Sequence, residues 1–317
     1  MVEKNENIHL ITGGAGFIGS NLIAKLIDEG NQIICVDNLL TGNFRNISKW
    51  LQKPNFSFIN QCILEEVVLS SNIKYIWHLA CPPSPKYYYA NPIETSKIIF
   101  LGTLRILELA KINKAKLLFA SSSEIYGNSL SIPMHEELCG LVNTSSTRGC
   151  YSESKRLAET LCYDFKRKYN LNIKIARIFN TFGPRMSSTD GRVVNTFIVN
   201  AIKNKSLNIN GDGKQTRSFC YVDDIIEGMI SLMYSPHNEV FNLGYPEEIS
   251  VLDLAKKILK KVNSNSSLVF KDACNDDPLR RKPSITKAKE KLQWEPKISF
   301  DDGLNSTIKF FTEHQNI

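Results

Sequence analysis

Tyr151 and Lys155 are four residues apart, at the start of a segment whose apolar periodicity predicts a helix over 151–169. Residues at this spacing share one face of a helix. A phenol ordinarily titrates at about 10, and a lysine ammonium beside it favours the phenolate and lowers its pKa. The pair therefore predicts a general base that takes a proton from a substrate hydroxyl.

Three glycines, Gly13, Gly16 and Gly19, follow a strand-like apolar run and precede a helix-like segment. Such glycines let the backbone turn tightly and approach a pyrophosphate, which then lies on the positive end of the helix. Asp37 lies 18 residues beyond Gly19, at the end of the next strand-like run, where ribose hydroxyls are bound. Its carboxylate would repel a 2′-phosphate, and no arginine follows before Arg45, so we predict NAD rather than NADP. An oxidised nicotinamide near Tyr151 would also favour the phenolate.

The elements that must position these residues alternate between strand and helix. The predicted strands cover 8–12, 32–36, 56–59, 75–80, 116–120 and 173–178, and the predicted helices cover 17–28, 92–111 and 151–169. This alternation predicts an α/β fold with a doubly wound, Rossmann-type parallel sheet.

The pattern changes after Phe179, where the segments become shorter and more mixed. We predict an NAD-binding domain of residues 1–180 plus roughly 218–243, because the helix-like segment 222–233 resembles a packing helix. Residues 181–217 and 244–317 then form a smaller C-terminal α/β domain that binds substrate.

Composition excludes several classes of protein. The 317 residues include 42% hydrophobic and 22% charged residues, enough to bury a core. The net charge of +7 is spread along the chain, so we predict no nucleic-acid partner. No apolar stretch reaches the about 18 residues of a membrane span, and the polar N-terminus is unlike a signal peptide, so we predict no membrane insertion. Eight scattered cysteines without a C-x-x-C pair predict reduced thiols, no metal site and a cytoplasmic location.

Longer motifs carry a resemblance that covers essentially the whole chain. They are 12–20, 78–82, 123–127, 150–156, 176–186, 211–219 and 281–283. With these motifs the chain resembles the extended short-chain dehydrogenase/reductase family of nucleotide-sugar enzymes, and within it the members that remove the carboxylate of UDP-glucuronate. At positions 122–124 the chain has Ser122-Ser123-Glu124. Related 4,6-dehydratases have a pattern similar to Thr-Asp-Glu there, and 4-epimerases usually lack the Glu.

The resemblance implies an activity in which C4 of UDP-glucuronate is oxidised with NAD. The resulting UDP-4-keto acid loses carbon dioxide, and C4 is reduced again to give UDP-xylose. The implied catalytic residues are Tyr151, Lys155, Ser122, Ser123, Glu124 and Arg281. The predicted cofactor contacts are Gly13, Gly16, Phe17, Ile18, Gly19, Asp37, Asn38, Leu39, Thr41, Gly42, Leu79, Ala80, Tyr151, Lys155, Thr181 and Arg192. The predicted substrate contacts are Tyr88, Lys97, Asn180, Arg185, Gln215, Arg217, Tyr221 and Arg281.

The resemblance also implies a homodimer, because helices 92–111 and 151–169 match those that form a four-helix interface in relatives. The chain departs from the family pattern at Gln61-Cys62-Ile63, Ile98-Ile99 and Ser284. A 4-epimerase and a decarboxylase that releases a UDP-4-keto-pentose therefore stay open as alternatives. A binding protein without activity is disfavoured, because Tyr151, Lys155 and Glu124 are all present.

Overall fold

A computed structural model of the protein describes residues 7–67, 72–129, 131–273 and 279–314. The strands are β1 (Ile8–Thr12), β2 (Gln32–Val36), β3 (Phe56–Ile59), β4 (Ile73–His78), β5 (Lys116–Ser122), β6 (Ile173–Ile178), β7 (Thr181–Phe182), β8 (Leu207–Asn210), β9 (Thr216–Arg217), β10 (Cys220–Tyr221), β11 (Val240–Leu243), β12 (Ile249–Ser250), β13 (Leu268–Lys271) and β14 (Arg280–Arg281). The helices are α1 (Phe17–Asp28), α2 (Pro85–Ala90), α3 (Pro92–Asn113), α4 (Gly149–Tyr169), α5 (Val193–Ile202), α6 (Val222–Tyr234), α7 (Val251–Val262), α8 (Thr286–Leu292) and α9 (Phe300–Glu313).

Seven parallel strands form the central sheet, in the order β11-β6-β5-β4-β1-β2-β3. The order reverses direction between β1 and β4, and ligands of such sheets bind in the crevice at the carboxyl ends of the strands at this point. The predicted doubly wound α/β fold is thus confirmed.

Helices cover both faces of this sheet, which explains why its strands are almost uniformly apolar. On one face, α1 and α6 bury Leu22 and Met229 in one cluster. On the other face, α3 and α4 bury Ile106 and Ala158 in a second cluster. Helix α4 on this second face carries Tyr151 and Lys155, the predicted general-base pair.

Several predicted element bounds need small corrections, since β4 begins at Ile73, β5 ends at Ser122 and α4 begins at Gly149. Strand β4 ends at His78, two residues before its predicted end at Ala80, because Leu79 and Ala80 leave the ladder and line a cavity. Helix α3 continues past Lys111 to Asn113, where the next residue adopts a left-handed conformation and ends it.

Three smaller sheets contain the other seven strands of the described ranges. They are β10-β7, β13-β8 and β12-β9-β14. In the last of these, β14 pairs in parallel with β9 and places Arg281 opposite Arg217. None of the helices in the described ranges has the length and apolarity needed to cross a membrane.

Candidate active site

A cavity of about 520 Å³ opens at the carboxyl ends of the central strands. Its volume is in the range of small-molecule and cofactor sites. It contains the glycine loop after β1, the Ser122–Glu124 segment at the end of β5, and the first turn of α4. Arg217 and Arg281 close it from the three-stranded sheet.

The glycine loop fits a ligand that needs close contact with the backbone. Gly13 has a φ of 73°, and a Cβ atom there would lie 2.8 Å from the backbone of Ala80. A Cβ atom on Gly19 would lie 2.2 Å from the carbonyl oxygen of Gly13. Side chains are therefore excluded at these two positions, so the loop packs tightly before the start of α1, the end of a helix that suits a pyrophosphate.

Asp37 presents a buried carboxylate at the end of β2. Its oxygens accept hydrogen bonds from the amides of Ala15 at 3.0 Å and Leu39 at 2.8 Å. Burial raises the pKa of Asp37 and these two amides partly oppose the rise. Gly42 keeps space beside the carboxylate, since a Cβ there would come within 2.9 Å of it. The loop and this carboxylate together fit the pyrophosphate and ribose of NAD.

Tyr151 lies in the first turn of α4 and is only 5% exposed. Its ring stacks on that of Tyr88 with centroids 5.3 Å apart. Lys155 donates from Nζ to the carbonyl oxygen of Ala120 at 2.7 Å and lies 5.9 Å from the centroid of the Tyr151 ring.

The predicted lowering of the pKa of Tyr151 is not produced by the chain's own groups. Burial raises this pKa well above its ordinary value, and a hydrogen bond with Ser122 opposes the rise only in part. The ammonium of Lys155 donates to the carbonyl oxygen of Ala120, so it does not offset the effect of burial on the pKa of Tyr151.

Glu124 forms the electrostatic centre of the cavity. Its Oε1 accepts a hydrogen bond from Nη1 of Arg281 and lies 3.3 Å from Nη1 of Arg148. Burial raises the pKa of Glu124, but Arg281 and Arg148 together outweigh burial, so the pKa lies below its ordinary value. Glu124 is therefore an anion at neutral pH, between two cations.

A short 3-10 turn over Ser123–Tyr126 holds Glu124 in this place. The Oγ of Ser122 accepts a hydrogen bond from the amide of Glu124 at 3.2 Å, which caps the turn. Ser123 is buried beneath it. One short segment thus presents both a hydroxyl and a carboxylate to the cavity.

Two predicted ligand-binding arginines already have partners within the chain. Arg192 donates to both oxygens of Asp190, at 2.5 and 3.0 Å. Arg185 has a φ of 67° and donates to the carbonyl oxygen of Ser20 at 2.7 Å. Its guanidinium also lies over the ring of Trp50. Arg185 thus links the loop after β7 to α1 through Ser20, and to the segment between β2 and β3 through Trp50.

Most of the predicted site residues line this one cavity. They are Gly13, Gly16, Phe17, Ile18, Gly19, Asp37, Asn38, Thr41, Gly42, Leu79, Ala80, Tyr88, Ser122, Ser123, Glu124, Tyr151, Lys155, Asn180, Thr181, Arg185, Arg192, Gln215, Arg217 and Arg281. Four residues at which the chain departs from the family pattern line it as well: Gln61, Cys62, Ile63 and Ile98.

Three predicted site residues lie outside the cavity lining, and their ligand contacts stay predictions. Leu39 is turned by a φ of 61°, and its amide donates to Asp37. Lys97 lies exposed on α3. Tyr221 is buried against Phe182.

Sequence reasoning missed Arg148, Cys81 and Asp190, which all line the cavity. Arg148 had a usable signal, because it precedes Tyr151 by three residues and so lies one helical turn away from it. Asp190 had a weaker one, the Asp-x-Arg spacing with Arg192.

Comparison with known proteins identifies the family. The profile of the GDP-mannose 4,6 dehydratase family matches residues 10–307. The chain belongs to this family of extended short-chain dehydrogenases/reductases. This family member is 46% identical over 304 residues to UDP-glucuronic acid decarboxylase 2 of Arabidopsis thaliana, covering 96% of this chain and 68% of the relative. It is 45% identical over 316 residues to UDP-glucuronic acid decarboxylase 1 of Xenopus tropicalis, covering 99% and 75%.

Solved structures of other extended short-chain enzymes share the fold. UDP-glucose 4-epimerase of Thermotoga maritima with UDP-glucose superimposes with a TM-score of 0.90 at 30% identity, covering 97% of this chain and 99% of that chain. UDP-glucuronic acid 4-epimerase of Bacillus cereus in complex with UDP-glucuronic acid and NAD gives 0.88 at 27% identity, covering 96% and 99%. The family resemblance read from the sequence motifs is thus confirmed.

Proposed function

We propose that the protein decarboxylates UDP-glucuronate to UDP-xylose and carbon dioxide with NAD as a recycled cofactor. The observation that carries this proposal is the buried Glu124–Arg281 pair in the cavity wall that also holds Tyr151. The decarboxylases of Arabidopsis and Xenopus at 46% and 45% identity support the same activity. When bound, NAD supplies a hydride acceptor and later a hydride donor for C4 of the sugar.

Tyr151 takes the proton of the C4 hydroxyl. Burial raises the pKa of Tyr151, and a bound oxidised cofactor would favour the phenolate through its positive charge. Ser122 hydrogen-bonds Tyr151 and lies where it can stabilise negative charge on the C4 oxygen. Lys155 fixes the end of β5 against α4 through the carbonyl of Ala120.

Arg281 and Glu124 act at the carboxylate end of the sugar. The guanidinium of Arg281 is only 4% exposed, so a carboxylate bound there is largely shielded from water. When the bond between C5 and the carboxylate breaks, its electrons pass to the C4 ketone and carbon dioxide leaves. The enolate is then protonated at C5 by a proton taken from water. Once C4 has been reduced again, the C4 oxygen regains the proton held by Tyr151.

The direct test is incubation with UDP-glucuronate and NAD, with carbon dioxide, NADH and the sugar product measured together. Carbon dioxide with UDP-xylose and no net NADH is the expected result. Carbon dioxide with accumulating NADH and a UDP-4-keto-pentose identifies the keto-releasing alternative. A C4-epimerised UDP-sugar acid without carbon dioxide identifies an epimerase, the activity of the Bacillus cereus structural relative.

The role of Arg281 is tested with Arg281→Ala and two sugars. Loss of a charged hydrogen bond costs about 1.5–3 kcal/mol, so UDP-glucuronate should bind at least about tenfold more weakly. UDP-glucose, which lacks the carboxylate, should bind almost unchanged. Arg280→Ala is the matched control, because Arg280 is exposed and pairs with Glu248. Equal weakening of both sugars by Arg281→Ala would instead place Arg281 at the phosphates.

We also propose the two-part organisation predicted above, with NAD on residues 1–180 and 218–243 and the nucleotide sugar on the remainder. It is supported by the return of β11 to the central sheet beside β6. Arg217 and Gln215 reach the cavity from the second part. A cytoplasmic location remains a prediction.

A homodimer through α3 and α4 is proposed as well. Both helices carry exposed apolar side chains, among them Leu101 at 40% and Leu157 at 46% exposure. The variant Leu101→Lys with Leu157→Lys should halve the mass measured by sedimentation. Leu279→Lys, at an exposed leucine outside both helices, is the control. A monomeric wild-type protein would rule the dimer out.

A further inference from the structure

Arg148 brings a second cation to the carboxylate at the centre of the cavity. Its Nη1 lies 3.3 Å from Oε1 of Glu124, and its side chain is 17% exposed. It is the N-cap residue of α4, one turn before Tyr151. Arg281, from the far end of the chain, donates to the same Oε1. One carboxylate oxygen is thus shared by two guanidinium groups from different elements.

The sharing matters once a second carboxylate enters the cavity. If Arg281 binds the substrate carboxylate, its positive charge is divided between that group and Glu124. Burial favours the protonated form of Glu124, so a weakened pairing would neutralise it. Arg148 starts the helix that carries Tyr151, and its contact with Glu124 does not use Arg281.

We propose that Arg148 is a positioning residue that keeps Glu124 paired and in place while Arg281 binds the carboxylate of UDP-glucuronate. This inference rests on the function proposed above. It also explains why a single buried carboxylate has two arginine partners, since one partner alone would satisfy it in the absence of substrate.

Five charged or titratable groups face Glu124 from four elements. Arg281 comes from β14, Arg217 from β9 and Arg148 from the start of α4. Tyr151 of α4 and Tyr88 of α2 are the neighbouring phenols. Loss of Arg148 removes one of the three cations that lower the pKa of Glu124. The effect of burial then weighs more, and the neutral form of Glu124 is favoured.

The experiment compares Arg148→Gln with Arg148→Lys. In Arg148→Gln, the acid limb of the pH profile for carbon dioxide release should move to higher pH by about one unit, a tenfold change in the ionisation equilibrium. Arg148→Lys keeps the charge, so its acid limb should lie close to that of the wild type. NAD binding should be unchanged in both variants. Arg156→Gln is the matched control, because Arg156 on α4 bonds the carbonyl of Ile125 without contacting Glu124. An unmoved limb in Arg148→Gln would overturn the proposal.

A second measurement separates this inference from the proposed function. The ¹³C signal of the Glu124 carboxyl is identified as the one lost in Glu124→Gln, and its titration is followed without substrate. A higher midpoint in Arg148→Gln than in wild type, with Arg148→Lys close to wild type, supports the role even if UDP-glucuronate is not decarboxylated. The same midpoint in all three proteins refutes it whatever the substrate.

Discussion

Tyr151 lies against the ring of Tyr88, with a hydrogen bond to Ser122 and Lys155 one turn along α4. We expect Tyr151→Phe to retain NAD binding and to lose turnover by about 10²–10⁴-fold, the usual effect of removing a general base. Titration with NAD and steady-state turnover measure the two effects. Tyr163→Phe, on the same helix but outside the cavity lining, should behave as wild type. Turnover close to wild type in Tyr151→Phe would exclude it as the base.

At the residue scale, we expect Asp37 to decide between NAD and NADP. Its buried carboxylate lies beside the space that Gly42 leaves open, so a 2′-phosphate there would meet a like charge. Like charges placed together cost several kcal/mol. We therefore expect NADP to bind at least about 10²-fold more weakly than NAD, as measured by calorimetry with each cofactor. Equal binding of the two would show that the ribose lies away from Asp37.

At the scale of elements, a buried ion pair fastens α4 to the central sheet. Arg177 of β6 donates to both oxygens of Glu159 on α4, at 3.0 and 2.8 Å. Ser121 of β5 donates to the same carboxylate, and Arg177 also bonds the hydroxyl of Tyr126. This network holds the helix of Tyr151 against the strand that ends at Ser122.

Breaking that pair should destabilise the fold strongly. Arg177→Met leaves the charge of Glu159 buried without its partner, which costs about 3–5 kcal/mol. The double variant Arg177→Met with Glu159→Met should recover much of this loss. The exposed pair Arg167–Asp164 on the same helix is the control, and Arg167→Ala should cost less than about 1 kcal/mol. Denaturant unfolding of the wild type and the three variants measures these costs, and equal costs for Arg177→Met and Arg167→Ala would contradict the prediction.

At the scale of the whole molecule, buried ionisable groups make stability depend on pH. Lys174 of β6 is fully buried, and its Nζ donates to the carbonyl oxygens of Ser235 and His237 beyond α6. Burial, with the nearby charges of Lys116 and Lys166, lowers the pKa of Lys174 from 10.5 to about 8.

The sign of the resulting pH dependence follows from proton binding. Between about pH 8 and 10.5 the unfolded chain still holds the Lys174 proton that the folded chain has released, so this residue's contribution to stability rises with pH. The difference in unfolding free energy between wild type and Lys174→Met should therefore increase over that interval. Denaturant unfolding at several pH values measures it, and a constant difference would mean that Lys174 stays charged in the fold.

The sequence by itself determined the parallel sheet, the glycine loop and the placing of Tyr151 and Lys155 on one helix. Alternating apolar segments indicate βαβ units, because buried strands and amphipathic helices differ in the spacing of their apolar residues. The spacing of Gly13, Gly16 and Gly19 and that of Tyr151 and Lys155 are local features, so they are visible without any knowledge of distant contacts. Most of the other predicted site residues were implied by the family resemblance, and they line the same cavity.

Only the tertiary structure decided the electrostatics of the site. Arg281 meets Glu124 because β14 pairs with β9, a contact between residues 157 positions apart that no local pattern encodes. The pKa of Tyr151 rises instead of falling, because burial is a property of the packed fold and Lys155 is bonded elsewhere. The contact between Arg148 and Glu124 likewise depends on how α4 packs against the end of β5. Spacing along the chain fixes which residues share an element, whereas burial and charge pairing depend on how the elements pack.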